Sequence, residues 1–443
     1  MRPLISVCIP AYNVENYIGE CLNSIINQPF GDYEIVLIDN GSDDKTPEIC
    51  ETFAKRYPSI ITFEALEKPT RLGRAALRAI TLARGDYVIS VDSDDYLSPN
   101  ALAEIGKAAY EKNSDLIMID YECIAEEGLA VRNNPSFDAV RINEAPYFDA
   151  IRYITGQNTF LASMWMYAIK NDERFHKIIA KMQTDENING DTYYVLYLFI
   201  SHKSIYYIDK KLYFYRLRHG SLSTVVKSNR HVKGLFYAVI ELMTSLSYES
   251  DIFSTEDLIA ITYTLLLRYF KISLSDYEHL ESADMEAIAN KFDNLIDKLG
   301  VIVKLEYPLF KILYENILKY GGRQGLEKTI EYENRWLINR VKQLHYDELY
   351  VVPTGSYGEN ALSVIKNNGF RVSAFLDNGE TKINESIGGI PCLSPNILKD
   401  KLNKADIAVV IASAYESHTE SIKNQILSLG IPVKNIIVRS ELS

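Results

Sequence analysis

The sequence predicts an α/β protein in three parts: a strand–helix alternation over residues 1–225, a helical middle over 226–345, and a smaller α/β domain over 346–443. Three observations carry this. Short apolar runs alternate with helically periodic segments from Leu4 to Ile119, the pattern turns helical from His231 to Leu344, and alternation returns at Leu349. At about 150 residues per domain, the 443 residues suit roughly two to four domains.

Leu4 to Ile9 is a β-branched apolar run ended by Pro10, and Tyr17, Ile18, Cys21, Leu22 and Ile25 then recur on one helical face. Tyr33 to Ile38 reads as a second strand, closed by the turn cluster Asp39-Asn40-Gly41-Ser42. Thr46 with Pro47 predicts a capped helix start, with Ile49, Cys50, Phe53 and Tyr57 on the inner face. A strand over Ile60 to Phe63, a helix over Arg74 to Ala83 and a strand over Tyr87 to Val91 follow. The last runs into Asp92-Ser93-Asp94-Asp95, before a helix at Ala101 to Ala109 and a strand at Leu116 to Ile119. Such alternation implies a mainly parallel sheet covered on both faces, with ligands outside the carboxyl ends of the strands. Residues 10–13, 39–44 and 92–95 fall at those ends, so the fold would gather them around one crevice.

Further on, Ile205 to Ile208 and Leu212 to Leu217 suggest a hairpin, followed by Arg218-His219-Gly220-Ser221. In the middle region Val232, Leu235, Val239 and Leu242 share a face, as do Ile288, Phe292, Leu295, Ile296 and Leu299. This reads as a packing domain or an acceptor surface. In the last part, strands at Leu349 to Val352, Val372 to Leu376, Ile407 to Ile411 and Ile436 to Val438 alternate with helices. Pro353-Thr354-Gly355-Ser356-Tyr357-Gly358 is similar to a Rossmann phosphate loop, with Asp377 about 20 residues on. Proline replaces the first glycine of that pattern and stiffens the turn. Dinucleotide binding and an assembly or regulatory role both stay open.

The formal charge of −12 argues against general nucleic-acid binding. Cys8, Cys21, Cys50, Cys123 and Cys392 are odd in number and lack metal-ligand spacing, which fits reduced thiols in a cytoplasmic protein. No run approaches the ~18 apolar residues of a membrane span. The 31 tyrosines suit either sugar stacking or a biased source genome.

Asp92-Ser93-Asp94 is the sharpest chemical feature. Oxygen ligands suit Mg²⁺ or Mn²⁺, so one aspartate can hold ribose hydroxyls while the other binds a cation bridging two phosphates. Ser6-Val7-Cys8-Ile9-Pro10-Ala11-Tyr12-Asn13, Ile38-Asp39-Asn40-Gly41-Ser42-Asp43-Asp44, Arg78, and Asp92-Ser93-Asp94-Asp95-Tyr96-Leu97 occur in that order. Together they resemble the family 2 glycosyltransferases of GT-A fold, a nucleotide-diphospho-sugar transferase domain, over about residues 1–225.

The resemblance implies that Pro10, Ala11, Tyr12, Asn13 and Asp39 hold the nucleobase, though a turn-forming role for Asp39 stays open. It places Arg71, Arg78, Asp92 and Ser93 against the donor and Asp94 on the metal, Mn²⁺ or Mg²⁺. The usual second aspartate is Asn40, and both asparagines near Arg78 are replaced. Asp191, after Gly190 in place of glutamate, takes the general base position, with a helix cap as the other reading. Arg216, Arg218 and His219 match a loop over the diphosphate, which gives Arg218 to the substrate and His219 to the metal. Trp165-Met166-Tyr167 reads equally as acceptor wall or core.

The implied activity is inverting, metal-dependent transfer from a nucleotide sugar, a UDP-sugar foremost. The acceptor is a hydroxyl of a glycan, polymer or lipid-linked molecule in bacterial surface polysaccharide synthesis. Work at the inner membrane face, peripheral membrane association and a homo-oligomer are compatible with it. Two rivals are a nucleotidyltransferase, which would carry a basic glycine-rich loop where Pro10-Ala11-Tyr12-Asn13 stands, and a non-catalytic scaffold keeping a degenerate transferase domain.

Overall fold

The computed structural model describes residues 2–70, 73–129, 137–156, 163–184, 190–219, 312, 315–316, 319–320, 322–379, 382–402, 405–413 and 416–439. Two compact units divide the chain.

The first unit holds strands β1 (Ile5–Ala11), β2 (Tyr33–Asp39), β3 (Ile61–Ala65), β4 (Tyr87–Ser90), β5 (Tyr96–Leu97), β6 (Leu116–Ala125), β7 (Tyr167–Lys170) and β8 (Ile205–Leu217). They form one sheet in the order β3-β2-β1-β4-β7-β6-β8-β5. β1, β2, β3 and β4 run parallel, whereas β7 is antiparallel to both its neighbours. Every residue of β2 is buried: its apolar run Ile35–Ile38 is covered on both faces, and Glu34 is answered by Ser6 and Arg84 at 2.7 and 2.6 Å. Helices α1 (Ile18–Ile26), α2 (Thr46–Arg56), α3 (Arg74–Leu82) and α4 (Ala101–Lys112) alternate with these strands. α5 (Ala139–Asn143), α6 (Tyr147–Gly156), α7 (Glu173–Thr184) and α8 (Gly190–Ser201) follow. Because β2, β1 and β4 are adjacent and parallel, the loops after Ala11, Asp39 and Ser90 emerge along one edge.

Three local expectations are corrected. Thr46 opens α2 without capping it, because its hydroxyl accepts the Val14 N–H at 2.9 Å. The expected hairpin at 205–217 is one strand parallel to β6. Its polar stretch Asp209-Lys210-Lys211 imitates a turn, but the register jumps from Ile119↔Ile208 to Asp120↔Lys211, so the extra residues form a bulge. Tyr17 is half-buried just before α1 and does not join its apolar face.

At the opposite edge of this sheet, Arg174 bonds the carboxylates of Asp115 and Asp172 at 2.6–3.0 Å. His202, after α8, is fully buried. Its Nδ1 lies 2.8 Å from the Leu198 carbonyl, and Nε2 finds no partner among the described residues. Burial pushes its pKa below the ordinary histidine value.

The second unit contains helix α9 (Gly322–Gln343), strands β9 (Glu348–Val352), β10 (Ala374–Leu376), β11 (Ser386–Ile387), β12 (Ile390–Leu393), β13 (Ile407–Ile411) and β14 (Ile436–Val438), and helices α10 (Ser356–Asn367), α11 (Ile397–Lys401) and α12 (Glu416–Ser428). Its sheet runs β11-β12-β10-β9-β13-β14, all parallel except β11. Gly358 is required here, since an added Cβ would meet the Pro353 carbonyl oxygen at 2.1 Å. The Asp377 carboxylate accepts the Thr354 N–H at 3.0 Å and the Gly379 N–H at 2.8 Å, and so stitches together the loops after β9 and β10. Arg439, only 1% exposed, bonds Asn334 and Asn360 at 3.1 and 2.8 Å and pairs with buried Glu333 of α9.

All five cysteines are free and buried. No described helix is long and apolar enough to cross a membrane.

Candidate active site

The loops after β1 and β2 are sewn to each other. The Ala11 carbonyl accepts the Asn40 N–H at 2.8 Å, the Asn13 N–H donates to Ser42 Oγ at 3.0 Å, and Asn13 Oδ1 accepts the Asp43 N–H at 3.1 Å. Asn13 adopts φ +51°, a left-handed conformation asparagine tolerates. Asp39, 1% exposed, accepts the N–H groups of Gly41 and Ser42 at 3.1 Å each and the Ser42 hydroxyl at 2.5 Å. The turn-forming reading of Asp39 is thus present in the structure. Gly41, at φ +72°, passes so close to the chain that a Cβ would lie 2.6 Å from the Lys68 carbonyl carbon. Pro10 is half-buried and Ala11 buried, while Tyr12 is 46% exposed and presents its ring at this edge.

Arg78, on α3, forks onto Glu64 of β3 at 2.8–3.1 Å, which raises its pKa further. Arg71 lies outside the described residues.

The acidic turn after β4 is held by the far end of β8. β5 pairs with β8 through Tyr96↔Phe214 and Leu97↔Tyr213, which carries residues 92–95 against Arg216. The Asp92 N–H donates to the Tyr213 hydroxyl at 3.0 Å, and the Asp92 carbonyl accepts the Asp95 N–H at 3.0 Å. Ser93 is buried. Asp95, 1% exposed, accepts the Tyr213 hydroxyl at 2.7 Å and the Arg216 N–H at 2.7 Å. Burial first, and the neighbouring Asp94 second, push its pKa up to about 7.

Asp94 is partly exposed, and its carboxylate accepts from Arg218 Nε at 2.7 Å. Arg216 donates through Nε to the Asp94 carbonyl at 2.9 Å and through a terminal nitrogen to Glu20 at 2.6 Å. Both guanidinium groups lie 5.3 Å from the centre of the Tyr17 ring, a cation–π distance. The Tyr17 hydroxyl donates to Glu126 at 2.8 Å, which raises the phenol and lowers the carboxyl. Glu126 also accepts the His219 N–H at 3.1 Å. His219 Nε2 lies 3.2 Å from the Glu127 carbonyl.

Asp191 occupies the second position of α8, and Asp185 and Glu186 lie outside the described residues. Trp165, Met166 and Tyr167 are buried, with Trp165 stacked on Tyr213 at 4.4 Å and on Tyr215 at 5.4 Å. That segment serves as core.

No group of three or more histidine, cysteine or acidic side chains among the described residues is arranged to hold a metal ion. A site of one or two carboxylates completed by phosphate oxygens and water is a different fit, the usual one for Mg²⁺, and Asp92 and Asp94 supply its hard oxygen donors.

Sequence reasoning put Tyr17 on the first helical face and gave Glu126, Tyr213 and Asp95 no role of their own. All four act through pairings between residues distant along the chain, which no local pattern announces. The one available signal was a second strand, Tyr96-Leu97, directly after the acidic turn.

Residues 6–194 match the family model described as "Glycosyl transferase family 2". The glycosyltransferase GlyA of Streptococcus pneumoniae is 30% identical over 249 residues, 55% of this chain and 34% of that protein. The uncharacterized glycosyltransferase EpsJ of Bacillus subtilis is 28% identical over 226 residues, 51% of this chain and 64% of that one. The chain thus spans less than two thirds of either relative. The poly(ribitol-phosphate) beta-glucosyltransferase of Bacillus spizizenii is 34% identical over 142 residues, 31% of this chain and 22% of that one. The crystal structure of S. aureus TarS 1–349 with UDP-GlcNAc superposes with a TM-score of 0.55 at 18% identity, covering 77% of this chain and 93% of that one. Such a likeness establishes the fold, GT-A. On the family match and the sheet-edge motifs it contains, segment 6–194 of this chain belongs to glycosyl transferase family 2.

Proposed function

We propose that the protein is an inverting, metal-dependent glycosyltransferase that moves a sugar from a UDP-sugar to a hydroxyl of a glycan, polymer or lipid-linked acceptor. Its setting would be bacterial surface polysaccharide or teichoic acid synthesis. The observation that carries this reading is the Asp94 carboxylate and Arg218 guanidinium 2.7 Å apart, beside the loops after β1 and β2. Acid and base side chains facing each other there suit a ligand that is both anionic and cation-bound. Relatives named for teichoic acid and polymer synthesis, and TarS bound to UDP-GlcNAc, support the substrate class.

In this reading Tyr12 and the loop built on Asp39 receive the nucleobase, and Asp92 the ribose. Asp94, with Asp92 beside it, would hold Mn²⁺ or Mg²⁺. That ion would neutralise diphosphate charge as the sugar bond breaks. The Asp191 carboxylate takes the proton of the acceptor hydroxyl, whose oxygen attacks the anomeric carbon from the face opposite the diphosphate. The anomeric carbon–oxygen bond to the phosphate breaks and the electron pair leaves on UDP. Arg218 then faces the accumulating negative charge.

The test is a nucleotide-sugar screen by thermal shift and hydrolysis with Mn²⁺. UDP-sugars should stabilise and be turned over by the native chain, and Asp94→Ala should abolish both effects. Hydrolysis of none by the native chain would favour the scaffold reading instead.

A further inference from the structure

The acidic turn carries three aspartates within four residues, and two arginines from the end of β8 answer them. The two arginines are held differently. Arg216 is fixed at three points: its N–H on Asp95, its Nε on the Asp94 carbonyl and its terminal nitrogen on Glu20. The Arg218 side chain instead reaches the Asp94 carboxylate itself, which the proposed function, with Asp92 beside it, assigns to a cation.

We propose that Arg218 is a resident counter-ion: it holds the Asp94 carboxylate while no cation is bound, and is exchanged off it onto phosphate oxygens when a cation-bound diphosphate arrives. This rests on the glycosyltransferase reading above and adds the order of events at its metal site. A guanidinium and a divalent cation on the same carboxylate oxygen repel, so one must yield. The geometry lets the side chain do this without moving the backbone. The chain is pinned before Arg218 by the Arg216 N–H on Asp95 and after it by the His219 N–H on Glu126. Between those pins the Arg218 guanidinium lies over the Tyr17 ring, a surface it can slide across without losing its contact. Asp94 and Arg218 side chains are each about one-fifth exposed, so ions in solvent reach the pair.

Mn²⁺ alone, followed by electron paramagnetic resonance of the free ion, and UDP at saturating Mn²⁺, followed by calorimetry, test the exchange. Arg218→Gln should bind Mn²⁺ about tenfold tighter than the native chain, and UDP about tenfold more weakly, the scale of one charge-assisted bond. Arg218→Met repeats the charge removal should the first variant fail to fold. Arg218→Lys keeps the charge, so its Mn²⁺ affinity should stay near the native one. A merely structural role would weaken both ligands together, and that outcome, or unchanged Mn²⁺ affinity in Arg218→Gln, overturns the exchange. If Asp94→Asn binds Mn²⁺ and UDP as the native chain does, the metal assignment itself fails and takes the exchange with it. Dependence on Asp94 without an effect of Arg218 overturns the exchange alone.

Discussion

The hydroxyl of Tyr213 donates to Asp95 at 2.7 Å while accepting the Asp92 N–H at 3.0 Å. One oxygen thereby fixes both ends of the acidic turn to the strand that ends beside Arg216 and Arg218. Tyr213→Phe leaves a buried carboxylate oxygen and a backbone N–H each short of a partner. The expected cost is about 1–3 kcal/mol in urea unfolding, accompanied by weaker UDP binding. Unchanged stability with unchanged binding would show that the hydroxyl does not hold the turn.

Two buried groups tie stability to pH with opposite signs. Asp95, pushed up to about 7, takes a proton in the folded chain well before the unfolded chain does. Its contribution to stability is full below the ordinary aspartate value of ~3.9 and is lost as pH rises through about 7. His202 is depressed by burial, so the unfolded chain binds its proton first, and that contribution is lost as pH falls below the ordinary value of ~6.5. The melting temperature of His202→Gln should therefore gain on that of the native chain as pH drops from about 7.5 to 5.5. Asp95→Asn should gain on it as pH rises through about 7. Differences that stay constant across the range would refute the assignments.

Asp191→Asn removes a proton acceptor without altering side-chain volume. Transfer should drop by about 10²–10⁴ while UDP affinity stays within about twofold, since a base contributes to the transition state rather than to donor binding. Radiolabelled sugar transfer and calorimetry separate the two. Retained turnover would place the base elsewhere.

Gly41→Ala places a Cβ at φ +72° and 2.6 Å from the Lys68 carbonyl carbon. The loop must shift, and with it the turn that Asp39 accepts. About 1–3 kcal/mol of destabilisation is expected, read by thermal melting, with a matching loss in UDP affinity. A variant as stable as the native chain would show that this loop yields easily.

The strands of the leading sheet were legible because parallel strands covered on both faces are near-continuous apolar runs. That is why Ile5–Ala11, Tyr33–Asp39 and Tyr87–Ser90 were found within two residues of their ends. The meeting of residues 10–13, 39–44 and 92–95 followed from chain direction alone. What stayed hidden depended on distant pairing. Asp209-Lys210-Lys211 has the composition of a turn, and only its register against β6 makes it a bulge. Tyr17 has the spacing of a core residue, yet Arg216 and Arg218, far along the chain, draw it to the site. Arg439 and Glu333 are charged residues buried together, and their burial rests on distant partners, Asn334, Asn360 and Tyr357, as well as on each other.

Trp165 lies flat on Tyr213, the residue whose hydroxyl holds Asp92 and Asp95. The indole therefore sits one ring away from the acidic turn and makes a native optical probe of it. The sequence has only two tryptophans, and the other is Trp336, in the second unit. Replacing Trp336 by phenylalanine would leave a chain whose tryptophan emission, excited at wavelengths where tyrosine does not absorb, reports on the first unit alone, in real time and without an attached dye.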